Sequence, residues 1–185
     1  MLLLASKSPR RRELLKMLDI PFEIVEIKDV EERFQADMEA EKVPEYLSRL
    51  KATAYNTNLK ADDILVTADT VVILEGEIIG KPKNAEDAKK MLGKLSGKTH
   101  KVVTGVTLSS QKKSVTFSTV TDVRFASLTE DNIDYYVEKY QPLDKAGAYG
   151  IQEWIGAVGV EGIDGSFYNV MGLPIYRLYR ELLKF

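Results

Sequence analysis

The sequence predicts a mixed α/β fold: an elongated mixed β-sheet with flanking helices, in a single domain over residues 1–185. Two observations carry this. Short apolar runs of the buried-strand type and long Val/Thr-rich stretches stand beside capped, amphipathic helices. These elements also mix without the strict alternation that an all-parallel βαβ repeat would show. The size agrees, since 185 residues at 44% hydrophobic and 29% charged can bury a core and keep a polar surface.

Residues 2–5, Leu-Leu-Leu-Ala, read as a short buried strand. Ser8-Pro9 then announces a helix, a capping hydroxyl followed by proline at the first helical position. Leu14, Leu15 and Leu18 form its apolar stripe. Residues 22–27 alternate and predict a second strand. Residues 28–42 are strongly charged and aperiodic, a loop with a little helix. Residues 44–56 predict a helix, with Tyr46, Leu47, Leu50 and Ala54 spaced for burial. Residues 64–68 are a buried-type strand that ends at Asp69-Thr70. Residues 71–74 and 77–79 flank Glu75-Gly76, a hairpin turn.

Asn84 caps a helix reaching Leu95, with Asp87 three residues on in an approximate capping box. Residues 100–109 and 114–125 are long strands joined by residues 110–113. Thr129 caps a helix to Tyr140. A glycine-rich stretch, residues 146–150, leads through Gly156, Gly159, Gly162 and Gly165 to a closing helix over residues 174–183. Trp154 and the Tyr135-Tyr136 pair read as core or interface groups.

Composition removes several chemistries. With 0 cysteines the chain has no disulfide scaffold, thiol nucleophile or zinc-thiolate site. With 1 histidine, His100, it lacks the makings of a multi-His metal centre, and a Ser-His-Asp triad is disfavoured. Proton transfer falls to carboxylates, lysines or tyrosines. The net charge of −2 argues against a duplex nucleic-acid binder. No apolar run is long enough for a membrane span, and the early Lys7 and arginines do not suit a secretory leader. A cytoplasmic protein without nucleic-acid or membrane partners is expected.

The charged residues at the start of the first helix are informative. Arg10, Arg11 and Arg12 occupy its second to fourth positions, where the helix end already carries partial positive charge. An anion docked there would meet backbone N–H groups, the hydroxyls of Ser6 and Ser8, and guanidinium forks together. A solvated basic patch is the alternative. Asp69, at a strand end, and Glu31-Glu32, in the charged loop, could share Mg²⁺ or divide metal and base roles. Capping and solvated carboxylates are the plain alternative. Lys51 interrupts an amphipathic helix, and Pro82 restricts Lys81 to extended backbone. Ser96-Gly97-Lys98-Thr99 mimics the end of a P-loop. Leu92 stands where the first glycine belongs, and the helix precedes the motif instead of following it.

Together these residues resemble the Maf family of nucleotide pyrophosphatases. The matching stretches are Leu4-Ala5-Ser6-Lys7-Ser8-Pro9-Arg10-Arg11, Glu32, Lys51-Ala52, Ala68-Asp69-Thr70-Val71-Val72 and Gly80-Lys81-Pro82. Leu95-Ser96-Gly97-Lys98-Thr99-His100, Val120-Thr121-Asp122-Val123, the run from Pro142 to Gln152, and Gly172-Leu173-Pro174 follow in the same order. The resemblance implies an inosine triphosphate pyrophosphatase-like fold with two lobes around a cleft. It implies hydrolysis of a nucleoside triphosphate to the monophosphate and pyrophosphate, with Mg²⁺ or Mn²⁺. Asp69 would be the proton acceptor and, with Glu32, a metal ligand. Ser8, Arg11, Lys51 and Lys81 would lie on the phosphate side.

Three positions separate two branches of the family. Arg10, Thr70 and Gln152 match the branch acting on dTTP and UTP, where the 7-methyl-GTP branch carries Trp, Gln and Glu. A glutamine amide can pair with the donor-and-acceptor edge of uracil or thymine, whereas guanine's adjacent donors suit a carboxylate. The competing readings are the 7-methyl-GTP branch and a nucleotide-sensing module linked to septum formation and cell division. A homodimer is left open.

Overall fold

In a computed structural model, residues 1–26, 28–55 and 59–185 are described. The expected strand reaching residue 27 and the expected helix reaching residue 56 therefore end outside the described residues.

The chain begins with β1 (Leu2–Leu4), whose three leucines are buried. Ser8 caps α1 (Pro9–Lys16) by accepting the Arg11 N–H, and Pro9 takes the first turn. Leu14 and Leu15 bury the helix, while Leu18 lies beyond it and is only partly covered. α1 links β1 to β2 (Phe22–Ile24), which pair in parallel with Leu2 opposite Phe22. Such a pair needs a crossover connection, and α1 lies within it.

After residues 28–39, which form neither helix nor strand, comes a short 3₁₀ turn (Ala40–Lys42) and then α2 (Val43–Thr53). Its buried face is Val43, Pro44, Leu47, Ser48 and Ala52, not the expected set. Tyr46 is exposed, and Leu50 and Ala54 are only partly buried. Ser48 belongs inside because its polar atoms are satisfied. Its hydroxyl meets Thr107 Oγ1 at 2.9 Å, and its carbonyl accepts from Thr67 at 2.7 Å.

β3 (Ile64–Leu74) pairs in parallel with β1, with Leu2 opposite Ile64. It runs through Asp69 and Thr70 without a break, which corrects the expectation that a strand ends there. Both side chains are held by partners on the same fold, so neither forces the backbone out of the ladder. β4 (Glu77–Ile79) returns antiparallel through Glu75 (φ 53°) and Gly76 (φ 86°). Two consecutive positive φ values are the mark of a type I′ hairpin.

α3 (Ala85–Leu95) is capped by Asn84, which accepts the Asp87 N–H. The reciprocal half of the box is absent, since Asp87 accepts instead from Lys83 N. β5 (Thr99–Ser109) and β6 (Ser114–Phe125) follow as expected. So does α4 (Glu130–Tyr140), with a complete Thr129–Asn132 capping box. Residues 96–99 join α3 to β5, so the P-loop mimic is a connecting turn.

Beyond the glycine-rich stretch, residues 154–171 contain three elements that their glycine-spaced composition hid. They are α5 (Trp154–Gly159), β7 (Val160–Asp164) and α6 (Phe167–Met171). α7 (Ile175–Leu182) closes the chain.

Among the described residues, seven strands form one mixed sheet in the order β2-β1-β3-β5-β6-β7, with β4 paired to β3. The chain divides into two compact units. The first comprises residues 1–70, 104–119 and 172–185, and includes a core of Leu3, Ala52, Tyr55, Leu59 and Leu65. The second comprises residues 71–103 and 120–171. Its core gathers Val72, Leu92, Leu95, Phe125, Tyr136 and Ile155 among others, with Trp154 packed against it. Trp154 also meets Tyr135 edge to face at 4.8 Å between centroids. Among the described residues, no helix is long and apolar enough to cross a membrane.

Candidate active site

In the first unit, α2 and β3 bring three charged side chains together. Lys51, near the end of α2, places Nζ 2.6 Å from Asp69 Oδ1 in the middle of β3. The same ammonium lies 3.2 Å from Glu32 Oε1. The structure also separates the two candidate glutamates, because Glu31 pairs with Arg33 at 2.6 Å. Asp69 and Lys51 are mostly covered, while Glu32 is about half exposed, with a side-chain exposure of 49%.

Two carboxylates joined by one cation form a donor set of oxygens only. Among the described residues, no group of three or more carboxylate or histidine side chains could cage a metal. Mg²⁺ commonly takes one or two protein carboxylates and completes its shell with water and substrate phosphate. Glu32 and Asp69 fit that requirement, with the Lys51 ammonium as a stand-in cation between them.

The start of α1 forms the other part of this unit's site. The Ser6 hydroxyl is buried and accepts the Ser8 N–H at 3.2 Å, bracing the loop that sets the helix start. Arg10 is partly buried. The Arg11 guanidinium is directed inward. Its Nε donates to the Gly172 carbonyl at 2.8 Å, Nη1 to the Ala68 carbonyl at 2.9 Å, and Nη2 to Thr70 Oγ1 at 3.0 Å. Gly172 presents that carbonyl from a φ of 116°, a conformation that disfavours any side chain. Burial pushes the Arg11 pKa down, and the Asp69 charge opposes the shift. Three of its five N–H groups are held by the fold.

Thr70 Oγ1 lies a further 2.9 Å from Thr104 Oγ1. Thr104, fully buried on β5, was not singled out from the sequence. Nothing marks it among the threonines of a Val/Thr-rich strand.

Lys81 and Gln152 belong to the second unit, and both are exposed. Beside Gln152, Glu153 accepts a short hydrogen bond from the Tyr136 hydroxyl and pairs with the buried Lys145 at 3.2 Å. Burial and that hydrogen bond both raise the Tyr136 pKa. Tyr136 is locked further because its oxygen accepts the Gly150 N–H at 3.0 Å. Nothing in the sequence marks this cluster beyond an acidic residue after Gln152. His100, the lone histidine, lies in the same unit's core against Phe125 and Tyr149.

A dTTP/UTP pyrophosphatase of Phocaeicola vulgatus is 52% identical over 183 residues, covering 99% of this chain and 95% of that protein. A dTTP/UTP pyrophosphatase of Porphyromonas gingivalis is 52% identical over 186 residues, covering 100% of this chain and 94% of that one. Among solved structures, the Staphylococcus aureus Ham1 protein is similar in fold, with a TM-score of 0.50 and 19% identity. That likeness covers 68% of this chain and 71% of that one. The family model described as Maf-like protein matches residues 1–185, and the chain belongs to that family.

Proposed function

We propose that residues 1–185 act as one domain that hydrolyses dTTP and UTP to the monophosphate and pyrophosphate, clearing nucleotides from the cytoplasmic pool. The observation that carries this is the Glu32–Lys51–Asp69 constellation beside Arg11, in a chain so similar to named dTTP/UTP pyrophosphatases.

The chemistry asks little beyond charge neutralisation and a positioned water. Asp69 accepts a proton from water as its oxygen bonds to phosphorus, and the α,β-anhydride bond breaks to release pyrophosphate. Before a cation binds, the Lys51 contact fixes the orientation of the Asp69 carboxylate. Ser6 and Ser8 order the loop that presents the first-turn N–H groups of α1 to phosphate. Arg11, Lys51 and Lys81 supply positive charge. Glu32 and Asp69 hold a divalent cation, Mg²⁺ or Mn²⁺, which when bound neutralises phosphate charge as a Lewis acid. Arg10, Thr70 and Gln152 read the base. Arginine at position 10 repels a cationic methylated purine, and the Gln152 amide complements the uracil or thymine edge.

The test is a panel of triphosphates, canonical and 7-methylated, incubated with the purified chain at one Mg²⁺ concentration. Monophosphate and pyrophosphate should appear fastest from dTTP and UTP. Preference for 7-methyl-GTP would overturn the base assignment, and absence of product from every nucleotide would overturn the activity.

A further inference from the structure

Glu32 and Asp69 bring two negative charges to one place, and the Lys51 ammonium answers both. Lys51 Nζ is 2.6 Å from Asp69 Oδ1 and 3.2 Å from Glu32 Oε1. Arg11 feels both carboxylates electrostatically, but its three assigned N–H donors go to Gly172, Ala68 and Thr70. A divalent cation held by Glu32 and Asp69 would draw on the same two carboxylates that Lys51 now contacts. Ammonium and dication cannot share them, because like charges a few ångströms apart at a partly shielded site repel by several times the thermal energy.

We propose that Lys51 is a built-in counter-ion that holds Glu32 and Asp69 in place before metal arrives, and that the divalent cation must displace it. The inference rests on the proposed function for the assignment of the two carboxylates as metal holders. It goes beyond that reading by setting an order of events. Metal alone binds weakly, because it must evict a cation that already contacts both carboxylates. A triphosphate changes this balance, since its oxygens accept the displaced ammonium while the dication takes the carboxylates. Metal and nucleotide therefore load together, and the site resists filling by free cation.

The experiment measures Mn²⁺ binding to the full chain without nucleotide, by titration calorimetry. Lys51→Met keeps side-chain length and removes the charge. Its Mn²⁺ affinity should exceed the parent's by about tenfold or more, the scale expected when one competing, partly shielded cation is removed. Adding Asp69→Asn to that variant should abolish the gain. Lys51→Arg retains a cation and should stay near the parent. An affinity in Lys51→Met equal to or below the parent's overturns the proposal, as does an equal gain in Lys51→Arg. Thermal melting checks folding, and Lys51→Gln replaces the methionine variant if that one does not fold. A chain that hydrolyses no triphosphate, while Lys51→Met still gains affinity for Mn²⁺, overturns the proposed function alone. A chain that hydrolyses dTTP without such a gain overturns the displacement alone.

Discussion

Asp69 and His100 show how differently two ionisable side chains can be used. Asp69 is in the proposed reaction as base and metal holder. Asn is near isosteric, yet it cannot take the proton and binds a hard cation poorly. Asp69→Asn should remove nearly all turnover while the circular dichroism spectrum stays parental. A kcat within about tenfold of the parent, a barrier change of only ~1.4 kcal/mol, would take Asp69 out of that role. His100 is 2% exposed, its Nε2 2.7 Å from the Tyr149 hydroxyl, and burial lowers its pKa to about 4. The ordinary value near 6.5 lies above this, so the unfolded chain takes up the proton first as pH falls. Stability associated with neutral His100 is intact above about pH 6.5 and is lost progressively down to about pH 4. Between pH 7.5 and pH 5 the loss should be about 2 kcal/mol. Urea unfolding at both pH values, with His100→Gln as the comparison, measures it. An equal pH dependence in parent and variant would show that His100 is not its source.

At the scale of elements, the position of α2 decides where Lys51 goes. A Cβ at Gly105 on β5 would fall 2.2 Å from the Pro44 carbonyl carbon and 2.4 Å from Glu45 N, both backbone atoms. The helix start thus packs directly on the strand, and no flexible side chain can give way. Glu45 on the same turn accepts the Ser118 hydroxyl at 2.7 Å. Gly105→Ala should push α2 off β5 and cost about 1–3 kcal/mol through overpacking. Because Lys51 rides on α2, kcat should fall along with the melting temperature. An unchanged melting temperature would mean that the close approach is readily relieved.

For the whole molecule, charge and base recognition should be separable. A cation that meets phosphate acts on every triphosphate alike, whereas a side chain that meets the base changes the ratios between them. Lys81→Ala should therefore lower kcat/KM for dTTP, UTP, GTP and 7-methyl-GTP by a similar factor. Gln152→Glu should shift the ratios away from the pyrimidines, because a carboxylate offers no donor to a uracil carbonyl. A Lys81→Ala enzyme with altered base preference would refute the phosphate role. Unchanged ratios in Gln152→Glu would remove Gln152 from base recognition.

Local chemistry was legible in the sequence wherever neighbouring residues decide it. Ser8-Pro9, Asn84 and Thr129 mark helix starts because each cap is satisfied within three residues. Glu75-Gly76 marks a hairpin because it tolerates positive φ. The family motif carried the identities of the candidate site residues. Contacts between distant segments decided the rest. Ser48 turned inward because Thr67 and Thr107 wait there. β3 continued through Asp69-Thr70 because Lys51, Arg11 and Thr104 satisfy those side chains. Glu32, not Glu31, reaches Lys51. Periodicity scores a polar residue as outward facing, and only the folded chain supplies the partner that lets it face inward.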